Sequence, residues 1–132
     1  MNVLIVDDSL VMRMIVERGM RHAGFGAAKM VHAANGLDAL DKIERAEGMG
    51  EGFDLILTDI HMPVMNGPEL LDEIRRRGLA LGVPVVLITA EDADSASLMN
   101  TAGEELSRLT KPFTVEQMQE RLTPLLQAAS HG

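Results

Sequence analysis

Short apolar runs alternate with stretches in which apolar residues recur every three or four positions, and this alternation repeats five times along the chain. The runs predict strands over residues 2–6, 28–33, 54–58, 84–89 and 106–109. The spacing of three and four, as in Val11, Met14, Ile15 and in Leu70, Leu71, Ile74, predicts helices over 9–23, 36–46, 67–77, 93–102 and 114–129. Start and stop signals fall at the joints. Ser9 caps the first helix and Gly24 ends it, Asn35-Gly36 opens the second, Pro68 lies in the first turn of the third, and Thr114 with Gln117 forms a capping box for the last. The run Val85-Val86-Leu87-Ile88 is apolar on both faces and needs cover on both sides, so the fold class is α/β with a doubly wound, five-stranded parallel sheet and five helices. Right-handed crossovers put the carboxyl end of every strand on one edge, which is where ligands bind in such sheets.

The polar residues at that edge are of complementary types. Asp7 and Asp8 follow Val3-Leu4-Ile5-Val6, Asp59 closes the run from Phe53 to Thr58, Thr89 ends the fourth strand, and Lys111 follows the fifth. Singly, each has an ordinary use: an Asp-Asp pair as a turn or cap, Thr89 as a helix cap, Lys111 as a solvated cation. Their convergence at four strand ends points to one site. Two carboxylates about 5 Å apart repel by roughly 3 kcal/mol at an effective dielectric near 20, and a divalent cation with hard oxygen ligands, such as Mg²⁺, relieves this. Thr89 and Lys111 then supply a hydroxyl and an ammonium for phosphoryl oxygens. A carboxylate can be the nucleophile, and Asp59 is the best-placed acceptor.

Composition narrows the class. The 132 residues suit one domain, residues 1–132, with no output domain expected after the fifth helix. A net charge of −8 argues against nucleic acid as a partner, because phosphate neutralisation needs surplus Lys and Arg. The one basic cluster, Arg75-Arg76-Arg77, meets the end of a predicted helix, where cations suit the dipole. No window approaches the roughly 20 apolar residues of a membrane span, and no signal peptide is visible, so a cytoplasmic protein without a membrane partner is expected. The absence of Cys removes disulfides, thiolate metal sites and Cys nucleophiles. Met12, Met14, Met20 and Met99 read as core filler at helical spacing, and His22, His32 and His131 receive no role.

Four blocks, Val6-Asp7-Asp8-Ser9, Leu57-Thr58-Asp59 through Asn66-Gly67, Ile88-Thr89-Ala90 and Thr110-Lys111-Pro112-Phe113, resemble in order and spacing the response-regulator receiver domain of two-component signalling, chemotaxis type, along the whole chain. The resemblance implies a flavodoxin-like sheet of strand order 2-1-3-4-5. It implies that Asp59 accepts a phosphoryl group from a histidine kinase or histidine phosphotransfer protein, and that the chain promotes its own phosphorylation and dephosphorylation. Asp8, Asp59 and the backbone carbonyl of His61 would bind Mg²⁺, or Mn²⁺ in its place, with Asp7 assisting through water. Thr89, Ala90 and Lys111 would bind phosphate and switch, and the side chains of His61 and Glu91 would flank the hydrolytic water and tune its rate. One departure stands out: three residues before Lys111, where receivers commonly carry Tyr or Phe, this chain has Arg108. The expectation is an exposed Arg108 that swings with Thr89 and the loop from Ala90 to Asp94 to meet Glu91, Asp92 or a partner.

The predicted helix 93–102, poor in large apolar anchors, would join the fifth strand and fifth helix in an output face for a downstream protein target. The first helix, with Arg13, Glu17, Arg18 and Arg21, would dock the phosphodonor, and the protein would act as a monomer. Three rival classes differ in what they need at this edge. A flavodoxin-like electron carrier needs a phosphate-cradling loop where Asp7 and Asp8 stand. A haloacid-dehalogenase-type phosphatase needs a second Asp two residues after the first, where this chain has Ser9. A phosphorylation-independent interaction scaffold of the same fold is the remaining alternative.

Overall fold

The structure, a computed structural model, describes residues 1–90, 107–111 and 113–131, with the side chains at 89, 90, 107, 108, 110, 111 and 126–131 outside that description. Five strands, β1 (Asn2–Val6), β2 (Lys29–Ala33), β3 (Leu55–Asp59), β4 (Val85–Ala90) and β5 (Ser107–Lys111), pair in parallel in the order β2-β1-β3-β4-β5. Four described helices accompany them: α1 (Leu10–Met20), α2 (Gly36–Gly48), α3 (Gly67–Arg76) and α4 (Val115–His131). The helix expected over 93–102 falls outside the described residues.

The period of two along the strands builds both cores at once. Val3, Ile5, Leu55, Leu57, Val86, Ile88 and Leu109 pack on one face with Val16 and Met20 of α1 and Met118 and Leu122 of α4. Leu4, Val6 and Ile56 pack on the other with Leu40 and Ile43 of α2 and Leu70 and Ile74 of α3. Each such side chain, removed from water, contributes about 1.5–3 kcal/mol. The double winding expected from apolar-on-both-faces strands is therefore present.

Helix ends follow their caps. The Ser9 hydroxyl accepts from Met12 N at 3.2 Å, Asn35 Oδ1 from Asp38 N at 2.8 Å, and Thr114 and Gln117 exchange both bonds of a capping box. α1 widens after Met20 into a π-helical turn over Arg21–Phe25, which Gly24 ends with φ 105°, a left-handed value a glycine adopts freely. The Arg21 guanidinium ties that turn to the Gly26 carbonyl at 2.9 Å.

β2 is an edge strand. Lys29 N donates to Met1 O and Asp7 N donates to Ala33 O, so the odd positions of β2 bond inward and the backbone of Met30 and His32 faces away from β1. The Lys42 ammonium of α2 covers that outer margin by donating to the His32 carbonyl, while Asp38 Oδ2 holds the same ammonium at 3.1 Å.

Candidate functional site

β1 and β3 are neighbours with Val6 opposite Thr58, and the chain therefore delivers Asp7 and Asp59 side by side at the carboxyl edge. Asp7 is buried; its N–H donates to Ala33 O at 3.1 Å and its Oδ1 accepts from Ser9 N at 2.9 Å. Asp8 is exposed, and Asp59 is half-buried with Oδ1 accepting from Ile60 N at 2.9 Å. Asp7, Asp8 and Asp59 each offer a carboxylate oxygen within 4.8 Å of the other two. Negative charges at that spacing repel by about 3 kcal/mol per pair at an effective dielectric near 20. Such a group suits a hard divalent cation or, with the cation, the oxygens of a phosphoryl group.

The loop after β3 is pinned to Asp59 by volume as well as by bonds. Gly67 N donates to Ile60 O at 2.8 Å, and a Cβ on Gly67 would stand 2.6 Å from the Asp59 carbonyl oxygen. Asn66 and Glu69 close a capping box at the start of α3, a signal overlooked in the Asn-x-x-Glu spacing. Val64, exposed at the loop tip, sits at φ 72°, a strained value for a β-branched residue. His61 is exposed in the same loop.

Thr89 is paired with Thr110 and Ala90 with Lys111, which brings Thr89, Ala90 and Lys111 to the carboxyl ends of adjacent strands. Arg108 lies in β5 opposite Leu87. The side chains of Thr89, Ala90, Arg108 and Lys111, and all of Glu91, Asp92 and the loop to Asp94, lie outside the described residues. The backbone thus assembles Asp7, Asp8, Asp59, Thr89, Ala90 and Lys111 along one edge.

α1 corrects one sequence expectation. Val11, Met14 and Ile15 do not face the core: they and Leu10 are 65, 54, 47 and 58% exposed, whereas Val16 and Met20 are fully buried. Met14 is therefore not core filler. The helix is apolar nearly all round, so spacing alone could not choose its inner face. Three of its charged side chains also make contacts within the fold, while Arg18 is exposed. Arg13 Nη1 donates to the Asp7 carbonyl at 2.6 Å, and Glu17 Oε1 lies 2.9 Å from His32 Nε2 with Arg21 at 3.5 Å. The His32 hydrogen bond holds the Glu17 carboxyl below the usual carboxylate range; burial opposes this and the charge of Arg21 assists it. His32, given no role from sequence, joins α1 to β2.

This fold with this acidic edge defines a class. Residues 3–123 match the response regulator receiver domain, and the chain belongs to that family. It is 33% identical over 127 residues to the chemotaxis protein CheY-3 of Vibrio cholerae, covering 96% of this chain and 92% of that protein. It is 31% identical over 118 residues to the two-component response regulator ARR2 of Arabidopsis thaliana, covering 89% of this chain but only 16% of that much longer protein. Among solved structures, Vibrio cholerae chemotaxis protein CheY4 superposes with a TM-score of 0.76 at 31% identity, covering 94% of this chain and 97% of that one. The receiver domain of the sensor histidine kinase PA1611 from Pseudomonas aeruginosa, which holds a magnesium ion in its active-site cleft, gives a TM-score of 0.77 at 25% identity, covering 96% and 97%. The chain is a CheY-like receiver of phosphorylation-based, two-component signalling. Receivers accept phosphoryl groups from histidine kinases and act on downstream targets. No helix among the described residues is long and apolar enough to cross a membrane.

Proposed function

We propose that Asp59 is the phosphoacceptor of a two-component or phosphorelay pathway, charged by a phosphohistidine on a kinase or phosphotransfer protein. The observation that carries this reading is the convergence of three carboxylates within 4.8 Å at the carboxyl edge of a receiver-type sheet. An Asp59 oxygen attacks phosphorus; the new P–O bond forms as the P–N bond breaks, and the imidazole leaves neutral after taking up a proton. The carboxylate oxygens fit Mg²⁺, or Mn²⁺ in its place; Asp8, Asp59 and the His61 carbonyl would hold the cation directly, and Asp7 through water. When bound, the cation would offset the negative charge on the carboxylates and on the transferring oxygens.

Thr89 and Lys111 receive the phosphoryl oxygens, and small Ala90 leaves them reachable. Water entering between His61 and Glu91 attacks phosphorus and restores the carboxylate. Pulling Thr89 and Lys111 inward moves the paired ends of β4 and β5, so the output face is formed by the segment 93–102, β5 with Arg108, and α4. The donor docks on α1 through Leu10, Val11, Met14 and Ile15, whose exposure beside the site supports that surface better than the charges do. The protein acts as a monomer.

The test is phosphorylation of the whole chain by radiolabelled acetyl phosphate. Label that requires Mg²⁺ and disappears in Asp59→Asn is expected. Unlabelled wild type would leave a phosphorylation-independent scaffold, and steady release of phosphate from many substrates without stable label would indicate a phosphatase.

A further inference from the structure

We propose that Arg13 is a positioning residue for the acidic site: its hydrogen bond to the Asp7 carbonyl fixes the Asp7–Asp8 peptide and so aims the Asp8 carboxylate at the cation. This rests on the metal-dependent reading above. Arg13 N closes the first turn of α1 onto Ser9 O at 3.0 Å, and the side chain runs back toward the helix start, as helical side chains do. There Nη1 reaches Asp7 O at 2.6 Å, a charge-assisted bond.

Asp7 is held at three atoms: N–H with Ala33 O, Oδ1 with Ser9 N, and the carbonyl with Arg13. Asp8 differs. No hydrogen bond to its side chain occurs among the described residues, so the direction of its carboxylate depends on the peptide that precedes it. Arg13 Nε is buried without a partner, a cost that a solvated surface arginine avoids.

A guanidinium bonded to the Asp7 carbonyl has an opposite alternative role, that of a resident counter-ion competing with the metal. The two roles differ in sign. Removing a competitor strengthens Mg²⁺ binding, while removing a positioner weakens it. Because the chain has no Trp or Tyr, Mg²⁺ is titrated by calorimetry and by the amide resonances of Asp8 and Asp59. Arg13→Met is expected to bind Mg²⁺ about tenfold more weakly, the scale of losing a partner that orients a metal ligand, and Arg13→Lys to recover to within about threefold. At saturating Mg²⁺ the rate of labelling by acetyl phosphate in Arg13→Met returns to that of wild type, because only metal affinity has changed. Should Arg13→Met fail to fold, Arg13→Gln carries the same comparison. Unchanged or tighter Mg²⁺ binding in a folded neutral variant overturns the proposal while wild type still binds Mg²⁺ and takes label. Wild type that binds no Mg²⁺ overturns the functional reading itself, and this inference with it.

Discussion

α1 and α3 both start at the acidic edge, are of similar length, and are used in opposite ways. α3 is committed inward: Gly67, Leu70, Leu71 and Ile74 are buried, its first residue touches the Asp59 carbonyl, and a capping box fixes its start. α1 buries only Val16 and Met20, has a single Ser9 cap bond, and turns Leu10, Val11, Met14 and Ile15 outward. One helix pins the loop that follows Asp59, and the other leaves apolar side chains exposed. α3 has a clear polar face whereas α1 is apolar nearly all round, so the inner side of α1 is legible only from what covers it.

The largest effect that tests this contrast is in packing. Leu70→Ala, at a fully buried site, is expected to cost about 2–5 kcal/mol in urea unfolding followed by far-ultraviolet dichroism. Ile15→Ala should stay within about 0.5 kcal/mol, and Ile15→Glu should slow transfer from a phosphohistidine protein while leaving labelling by acetyl phosphate untouched. Equal losses of stability at positions 15 and 70 would erase the distinction.

A smaller difference lies in the caps. Asn66→Ala removes the 2.8 Å bond from Glu69 N, while the backbone N–H of residue 66 keeps its 3.1 Å bond to Glu69 Oε1; a loss of about 1 kcal/mol is expected. Ser9→Ala, losing one 3.2 Å bond, should cost less by the same assay.

The smallest concerns pH. The folded carboxyl of Glu17 lies below its ordinary 4.5, so its contribution is fully present above that value and is lost as pH falls through the lowered one. Its partly exposed pair with His32 is worth no more than a few tenths of a kcal/mol. Glu17→Gln should narrow the drop in urea midpoint between about pH 6 and pH 3 by that amount. A wider drop in the variant would reverse the sign and refute the attribution.

Most of the sheet was legible in the sequence, because strands buried on both faces leave no ambiguity of side: Val3 to Val6 and Leu55 to Thr58 are apolar whichever way they point. The acidic edge was legible too, since strand ends converge whenever the crossovers share a hand. α1 was not. Leu10, Val11, Met12, Met14, Ile15, Val16 and Met20 leave almost no polar face, and the side that meets the sheet is chosen by tertiary packing. The inward turn of Arg13 escaped for a related reason. Its one clue was a cation set between Met12 and Met14 in that apolar helix, and its acceptor is a backbone carbonyl, which leaves no mark in the residue pattern.

Lys42 on the outer margin of β2 bears on how copies of this protein meet one another. A parallel sheet invites growth wherever an edge strand shows free backbone, and here the carbonyl of His32 already has an ammonium on it. An incoming strand must displace an ammonium held by Asp38 before it can bond to that carbonyl. At that margin a charged side chain therefore works against the strand-to-strand stacking that turns open sheets into fibres.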